Sequence, residues 1–469
     1  MLTIKTPAEG EWFLPSHSDA AVPGVLRVEE GQILLTLLGR LPRIWERVIS
    51  GLNPEAIWGV TTAGIPITLL HCTFWGGRGM IGSPRAATFT SSLILWGIHR
   101  KSAIDAIPVE LSVRFSNLEN WLGHTRALAD FESAALGELR RPILSLQQRL
   151  VSTEDLEIDV VFRTCWTSSD RRLEAEDKGA IVFRSPKGIP LLEYLPLVRI
   201  FRSFLTLAMS SQVYMSEMTA IFVAPLESRG QSVGRRNPVP ILGIDIPIRS
   251  EWPEMSARRF LFDLPALDDH ATEFITQWYQ RFEILAPALN LYIFTKNRND
   301  LAVEETFLNA VKACEYLHRA TLEDNSQAEE HAARIAEIFQ ACPEQHKKWF
   351  KKKLPLLRRE PNLHQRLTEL TSLVGDDMMK LLPVKADILV EKTVAGRNYL
   401  THFSKEAKRT SPSISLLPSL ERWWFLIFEA SLLLKTGLPQ SSVKDLFLRN
   451  REMNLERFCE TRDLRWTEC

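Results

Sequence analysis

The chain has 469 residues, 45% of them hydrophobic, which excludes one ordinary core, since single cores stop growing near ~250–300 residues. Its 57 Lys and Arg balance 57 Asp and Glu, which excludes nucleic-acid recognition by whole-protein charge and leaves that task to a local basic face.

The opening "MLTIKTPAEGEWFLP" lacks the basic-then-apolar pattern of a secretory signal. "GVLRV", "EEG" and "QILLTLLG" read as strand, tight turn and strand over 24–39. A further strand starts after the Gly-x-Pro break in "GIPITLLHCTF" (64–74), and "LEIDVVFRTCW" (156–166) places Leu156, Ile158, Val160 and Phe162 on one face. These segments predict a β-rich region to about residue 190, with one face of its sheet buried. His71 and Cys72, adjacent in a predicted strand, point to opposite faces, cannot chelate together and are read as structural. "GGRGMIGSPR" (76–85) is glycine-rich but lacks both the P-loop ending and the strand-to-helix setting of a dinucleotide fingerprint.

From about 190 the period becomes helical. "YLPLVRIFRSFLTLAMSS" (194–211) predicts a helix, "AIFVAP" a strand, and "SRGQSVGRRNPVP" (228–240) an exposed loop. "TEFITQWYQRFEILAPALNLYIF" (272–294) is helical, with Pro287 expected to end or kink it. Asp300 is the expected cap of the next helix, whose inward stripe is Phe307, Val311, Cys314 and Leu317. Helices follow at about 328–341, 344–353, 362–375, 383–408, 418–436 and 441–450. The fold class is therefore α+β, with a β-rich mixed domain over 1–295 and an all-α bundle over 296–469. The most apolar run, "WWFLIFEASLLL" (423–434), is broken by Glu429 and is too short for a bilayer at ~20 residues, so it reads as a buried helix. Cysteines at 72, 165, 314, 342, 459 and 469 form no CxxC pair and no zinc-ligand spacing. That is the pattern of a reduced, cytoplasmic protein.

"TVAGRNYLTHF" (393–403) places Arg397 five residues before His402 in a helical run. Metal-independent RNA cleavage needs a group that moves protons near neutrality and one that neutralises phosphate, and histidine and arginine are suited to those tasks. The two side chains nevertheless lie roughly 140° apart around one helix, so they converge if the arginine curls back or a second subunit supplies its own pair. Gly396, in mid-helix, costs roughly 1 kcal/mol relative to alanine, which suits a break or a crowded neighbour. Spacing alone does not decide, because ten His and 39 Arg give roughly 0.8 chance matches to Arg-x4-His. Arg359 and His364, in "REPNLH", form a second match at a turn, and a solvated surface pair is the simpler reading of either.

Context separates the two. "VAGRNYLTH", with Asn398 directly after the arginine, resembles the Arg-x4–6-His motif of the HEPN superfamily of ribonucleases. The helix "EETFLNAVKACEYLHRA" (304–320) is similar to the opening helix of the ApeA-like HEPN group, and "GEWFLP", "VPGVLRVEEGQILLTLLG", "GVTTAGIPITLL" and "VRFSNLENWLG" are similar to the ApeA N-terminal domain. The resemblance implies an antiphage toxin acting by abortive infection, dimeric, needing neither metal nor cofactor, cleaving tRNA or mRNA, and answering to a phage-derived trigger protein. It implies that Arg397 neutralises phosphate, His402 transfers protons and Asn398 assists by hydrogen bonds.

Glu315 is a candidate supporting group, although a lone helix-surface glutamate is more often half of an ion pair. "HKKWFKKKLPLLRRE" (346–360) sets Trp349 and Phe350 among seven basic residues. Lys347, Lys348, Lys351, Lys352, Lys353 and Arg358 are thus candidate RNA-binding groups, against the alternative of a charged face over a buried aromatic anchor. Thirteen tryptophans read mostly as core. Two other readings stay open: a non-catalytic bundle that binds RNA or dimerises, and an N-terminal sensor whose removal would leave an active bundle.

Overall fold

A computed structural model describes residues 5–29, 31–42, 52–80, 83–123, 145–169, 172–222, 238–243, 252–298, 300–322, 326–353, 361–403 and 405–449. They form two compact units, Met1–Thr276 and Gln277–Cys469. The arrangement is α+β, an antiparallel sheet region followed by helices.

Among the described residues fourteen strands make the sheet: β1 (Ala8–Phe13), β2 (Val22–Glu29), β3 (Gln32–Leu37), β4 (Ala56–Thr61), β5 (Pro66–Leu70), β6 (Thr73–Met80), β7 (Ser83–Ser91), β8 (Leu93–Trp96), β9 (Pro108–Phe115), β10 (Ser145–Ser152), β11 (Glu157–Ser169), β12 (Arg172–Arg184), β13 (Met215–Phe222) and β14 (Val239–Gly243). Their spatial order is β10-β11-β12-β9-β13-β14-β8-β5-β4-β1-β2-β3-β7-β6. The expected first hairpin is β2 against β3, with Leu26 opposite Leu35. β3 alternates buried and solvated residues as predicted, but β8 and β14 are buried throughout. They pair with each other, Ile94 against Leu242, in mid-sheet. Both of their faces are covered there, and alternation is lost.

Trp12, Leu26, Ile33, Leu35, Ile57, Ile67 and Leu69 build one core of this unit. Gly59 is required beneath Trp12, because a Cβ there would lie 2.3 Å from the indole Cε3. A second core forms where α2 (Leu191–Ala208) sets Phe201 and Phe204 against Trp121, the last residue of α1 (Leu118–Trp121). Asn117, in left-handed backbone just before α1, exchanges hydrogen bonds with Pro253 and Met255, tying a distant segment to this end of the sheet. Asp159 is buried and accepts from Arg149, Arg184 and Gln147. Its burial is tolerated because every side of the carboxylate has a donor.

One local expectation changes here. His71 and Cys72 lie in the turn between β5 and β6, with His71 at φ 53 and exposed and Cys72 buried. In the glycine-rich 76–85 stretch, residues 76–80 belong to β6 and residues 83–85 to β7, which pair antiparallel. Of the expected loop at 228–240, residues 228–237 lie outside the described residues.

The remaining helices are α3 (Leu264–Leu267), α4 (Ala271–Lys296), α5 (Val303–Thr321), α6 (Ser326–Ala341), α7 (Glu344–Lys353), α8 (Leu363–Val374), α9 (Asp376–Met379), α10 (Ala386–His402), α11 (Lys405–Thr410), α12 (Leu417–Lys435) and α13 (Gln440–Arg449). Pro287 does not end α4, which runs unbroken through it. An interior proline costs ~3 kcal/mol, which burial of Leu285, Ala288, Leu289 and Tyr292 on either side offsets. The end of this helix is what the sequence offers as a boundary near 295. Asp300 does not cap α5, whose N-cap is Ala302. It is instead hydrogen-bonded by Arg298, which holds its carboxyl below the ordinary range.

Phe307, Val311, Cys314 and Leu317 form the buried stripe of α5, as expected. α12 is buried along most of its length, and Glu429 within it accepts from Tyr292 Oη at 2.6 Å and pairs with Lys296 at 3.2 Å. The residue that breaks the apolar run is thus a paired core carboxylate. Among the described residues no helix is long and apolar enough to cross a membrane.

Candidate active site

α10 carries the Arg-x4-His element. Its buried residues are Leu389, Val390, Thr393 and Gly396, which recur at helical spacing and set one inward stripe. Thr393 fixes that stripe to α12, for its hydroxyl accepts from Trp424 Nε1 at 2.7 Å and donates to the Leu389 carbonyl at 2.7 Å. Gly396 is crowded, as a Cβ there would meet Pro412 Cγ at 3.1 Å and Phe307 Cζ at 3.4 Å. The glycine lets α10 approach its neighbours six residues before its end.

At ~100° per residue, His402 projects roughly opposite the middle of this stripe, while Arg397 borders it. Burial agrees: His402 is exposed, and Arg397 and Asn398 are half-buried. Arg397 Nη1 donates to Asn398 Oδ1 at 3.4 Å, a long contact. Within one chain, Arg397 and Asn398 are thus in contact, Asn398 shares a helix face with His402 four residues on, and Arg397 lies roughly 140° around the helix from His402. Among the described residues no hydrogen bond or ion pair engages the His402 side chain.

The helix ends at once. Phe403 adopts φ 49, ψ 30, so the helix expected to run to 408 stops at His402, and α11 begins afresh at Lys405. A left-handed residue cannot continue a right-handed helix.

Glu315 accepts from Arg319 one turn along α5 at 3.0 Å, and no hydrogen bond or ion pair joins it to Arg397, Asn398 or His402. In the basic segment, Lys347 pairs with Glu344. Lys348, Lys351, Lys352 and Lys353 are exposed, and Arg358 lies outside the described residues. In the second match, Arg359 lies outside the described residues, and His364 is exposed in the first turn of α8. Among the described residues no group of three His, Cys, Asp or Glu side chains is placed to hold a metal ion.

One constellation escaped the sequence reading. His318 is fully buried, with Nε2 2.6 Å from Glu369 Oε2 and Nδ1 3.3 Å from Nη1 of the buried Arg366. The signal was available: His318 extends the stripe of Phe307, Val311 and Cys314, and Arg366 sits beside Leu367 and Leu370. A polar residue on an apolar stripe calls for a buried partner.

The helical unit carrying this element is a HEPN-type domain, for residues 308–442 match the family model Apea-like HEPN. Residues 7–278, more than half of the chain, match the family model ApeA N-terminal domain 1, so the chain belongs to the ApeA family. This pairing of domains is the architecture of HEPN-type antiphage defence proteins. No curated protein and no solved structure is similar enough to match.

Proposed function

We propose that the chain is a metal-independent endoribonuclease toxin of antiphage defence, cleaving tRNA or mRNA at a site completed across a homodimer. The observation that carries this reading is the placement of His402: exposed, at the last residue of α10 and turned away from that helix's buried stripe, with half-buried Arg397 five residues before it. A two-fold axis beside the end of α10 would bring two copies of the pair into one cleft.

The chemistry then needs no further group. A 2′-hydroxyl loses its proton to one His402, its oxygen attacks the adjacent phosphorus, and the bond to the 5′-oxygen breaks. The other copy's histidine protonates that oxygen, leaving a 2′,3′-cyclic phosphate and a 5′-hydroxyl. Arg397 from each copy spreads its charge over the phosphate oxygens, where negative charge accumulates. Asn398, within reach of Arg397, holds the guanidinium toward the cleft.

The test compares the purified chain with a His402→Ala variant on a total-RNA pool. Cyclic-phosphate ends that persist in EDTA, appear with the parent and vanish with the variant are the expected result. Equal cutting by both proteins would sink the assignment of His402. RNA bound at micromolar concentration but never cut, with or without a phage lysate as trigger, would leave the bundle a non-catalytic RNA-binding role.

A further inference from the structure

We infer that Trp349 on α7 is a stacking platform for an unpaired RNA base, flanked by Lys352 and Lys353 as phosphate contacts. The inference deepens the reading above by naming single-stranded RNA as what the bundle holds, and it rests on that reading for the choice of RNA as partner.

The two aromatic residues of the basic segment have opposite fates. Phe350 stacks on Phe339 of α6, centroids 6.1 Å apart and planes 23° apart, so it is the anchor that fixes α7. Trp349 is 62% exposed and projects roughly 100° away from that anchor. A large indole left in water needs no explanation when it stands alone on a surface. This one does not stand alone.

On the same helical geometry, Lys353 and Lys352 fall roughly 40° and 60° to either side of Trp349, with His346 near Lys353. Both lysines are exposed, and among the described residues no carboxylate pairs with them. Lys347 and Lys351 lie on the far side of the helix, and Lys347 is already paired with Glu344. The sequence run of basic residues therefore resolves into one face that joins an aromatic plane to two exposed cations. Lysines in the last turn also complement the helix dipole, which accounts for their charge but not for the indole between them.

A base stacked on an aromatic ring, with its phosphates on neighbouring ammonium groups, matches this face. Bases in a duplex are already stacked and cannot lie flat on the ring. An acidic peptide would satisfy the lysines and leave the indole uncovered.

The experiment uses the full chain with His402→Ala as background, so that cleavage does not enter. Fluorescence anisotropy follows binding of a labelled single-stranded oligouridine and, separately, of an RNA duplex of equal length. Trp349→Ala should weaken the single strand about tenfold and leave the duplex within about twofold, with Trp349→Phe recovering much of the loss. Lys352→Glu with Lys353→Glu should weaken both and flatten the salt dependence. Trp349 is exposed, so the thermal melt should not move. No loss with Trp349→Ala, an equal loss for strand and duplex, no RNA binding at all, or competition by oligoglutamate alone would each overturn the proposal. Selective binding by this face in a chain that never cuts RNA would uphold it while the nuclease reading fails.

Discussion

His318 and Glu369 meet through a 2.6 Å contact between the imidazole Nε2 and a carboxylate oxygen. The opposite ring nitrogen lies 3.3 Å from Arg366 Nη1. A guanidinium offers only protons, so Nδ1 is the acceptor and the ring proton is on Nε2, donating to Glu369. Arg366 Nε also donates to the Pro361 carbonyl at 2.9 Å. The three groups clamp α5 to α8 and to the turn before it.

Breaking that clamp from the middle should be costly. Arg366→Met leaves His318 Nδ1 and the Pro361 carbonyl without this donor in a buried site, and a loss of roughly 3 kcal/mol is expected. Urea unfolding of the variant measures it. A loss below about 1 kcal/mol would show the clamp to be dispensable.

Phe403 predicts the opposite sign. It closes α10 in left-handed backbone, its N–H donating to the Tyr399 carbonyl at 2.7 Å, where an L side chain costs ~1–2 kcal/mol and glycine is the usual occupant. Its ring is 72% exposed and meets Tyr399 edge-on at 5.8 Å, so little packing is lost when it goes. Phe403→Gly should raise stability by roughly 1 kcal/mol, with the denaturant midpoint shifted up and the slope unchanged, whereas Phe403→Ala should not.

The same residue shows where the sequence stops being legible. Helical periodicity continues past 403, and an aromatic residue carries no stop signal of the kind glycine or proline gives. Conversely, Pro287 carries such a signal and α4 does not end there, because tertiary burial around Leu289 and Tyr292 outweighs a local cost. The hairpin at 24–39 and the stripe of Phe307, Val311, Cys314 and Leu317 were legible because pattern and burial agree. At the candidate site, the angular gap between Arg397 and His402 followed from helical pitch alone. The partners of Thr393, His318 and Glu429 did not, since each comes from a helix distant in sequence.

A mid-helix glycine at 396 suits either a break or a crowded position, and crowding is what the structure shows. Alanine gains roughly 1 kcal/mol in helix propensity, but its methyl must displace Pro412 by a few tenths of an ångström. Gly396→Ala should therefore be near neutral. Gly396→Val adds two further carbons toward Pro412 and Phe307, and a loss of roughly 2 kcal/mol is expected. Thermal melts of the two variants make the comparison, and equal behaviour would mean that the neighbours yield freely.

Thiol chemistry gives a test that needs no substitution. Cys72 is buried within the β5–β6 turn, and burial pushes its thiol up to about 12. Burial raises Cys314 as well, and its Sγ faces the Trp424 carbonyl at 3.5 Å. Alkylation requires both the thiolate and a path for the reagent, and neither residue offers either in the native fold. Cys342, half-buried at the α6–α7 connection, remains open to solvent. Iodoacetamide at about pH 8, followed by peptide mass spectrometry, should label Cys342 and spare Cys72 and Cys314. In urea all three should react. Native labelling of Cys314 would mean that α5 and α12 separate on the reaction's timescale, and with them the Phe307 and Trp424 contacts that fix the end of α10.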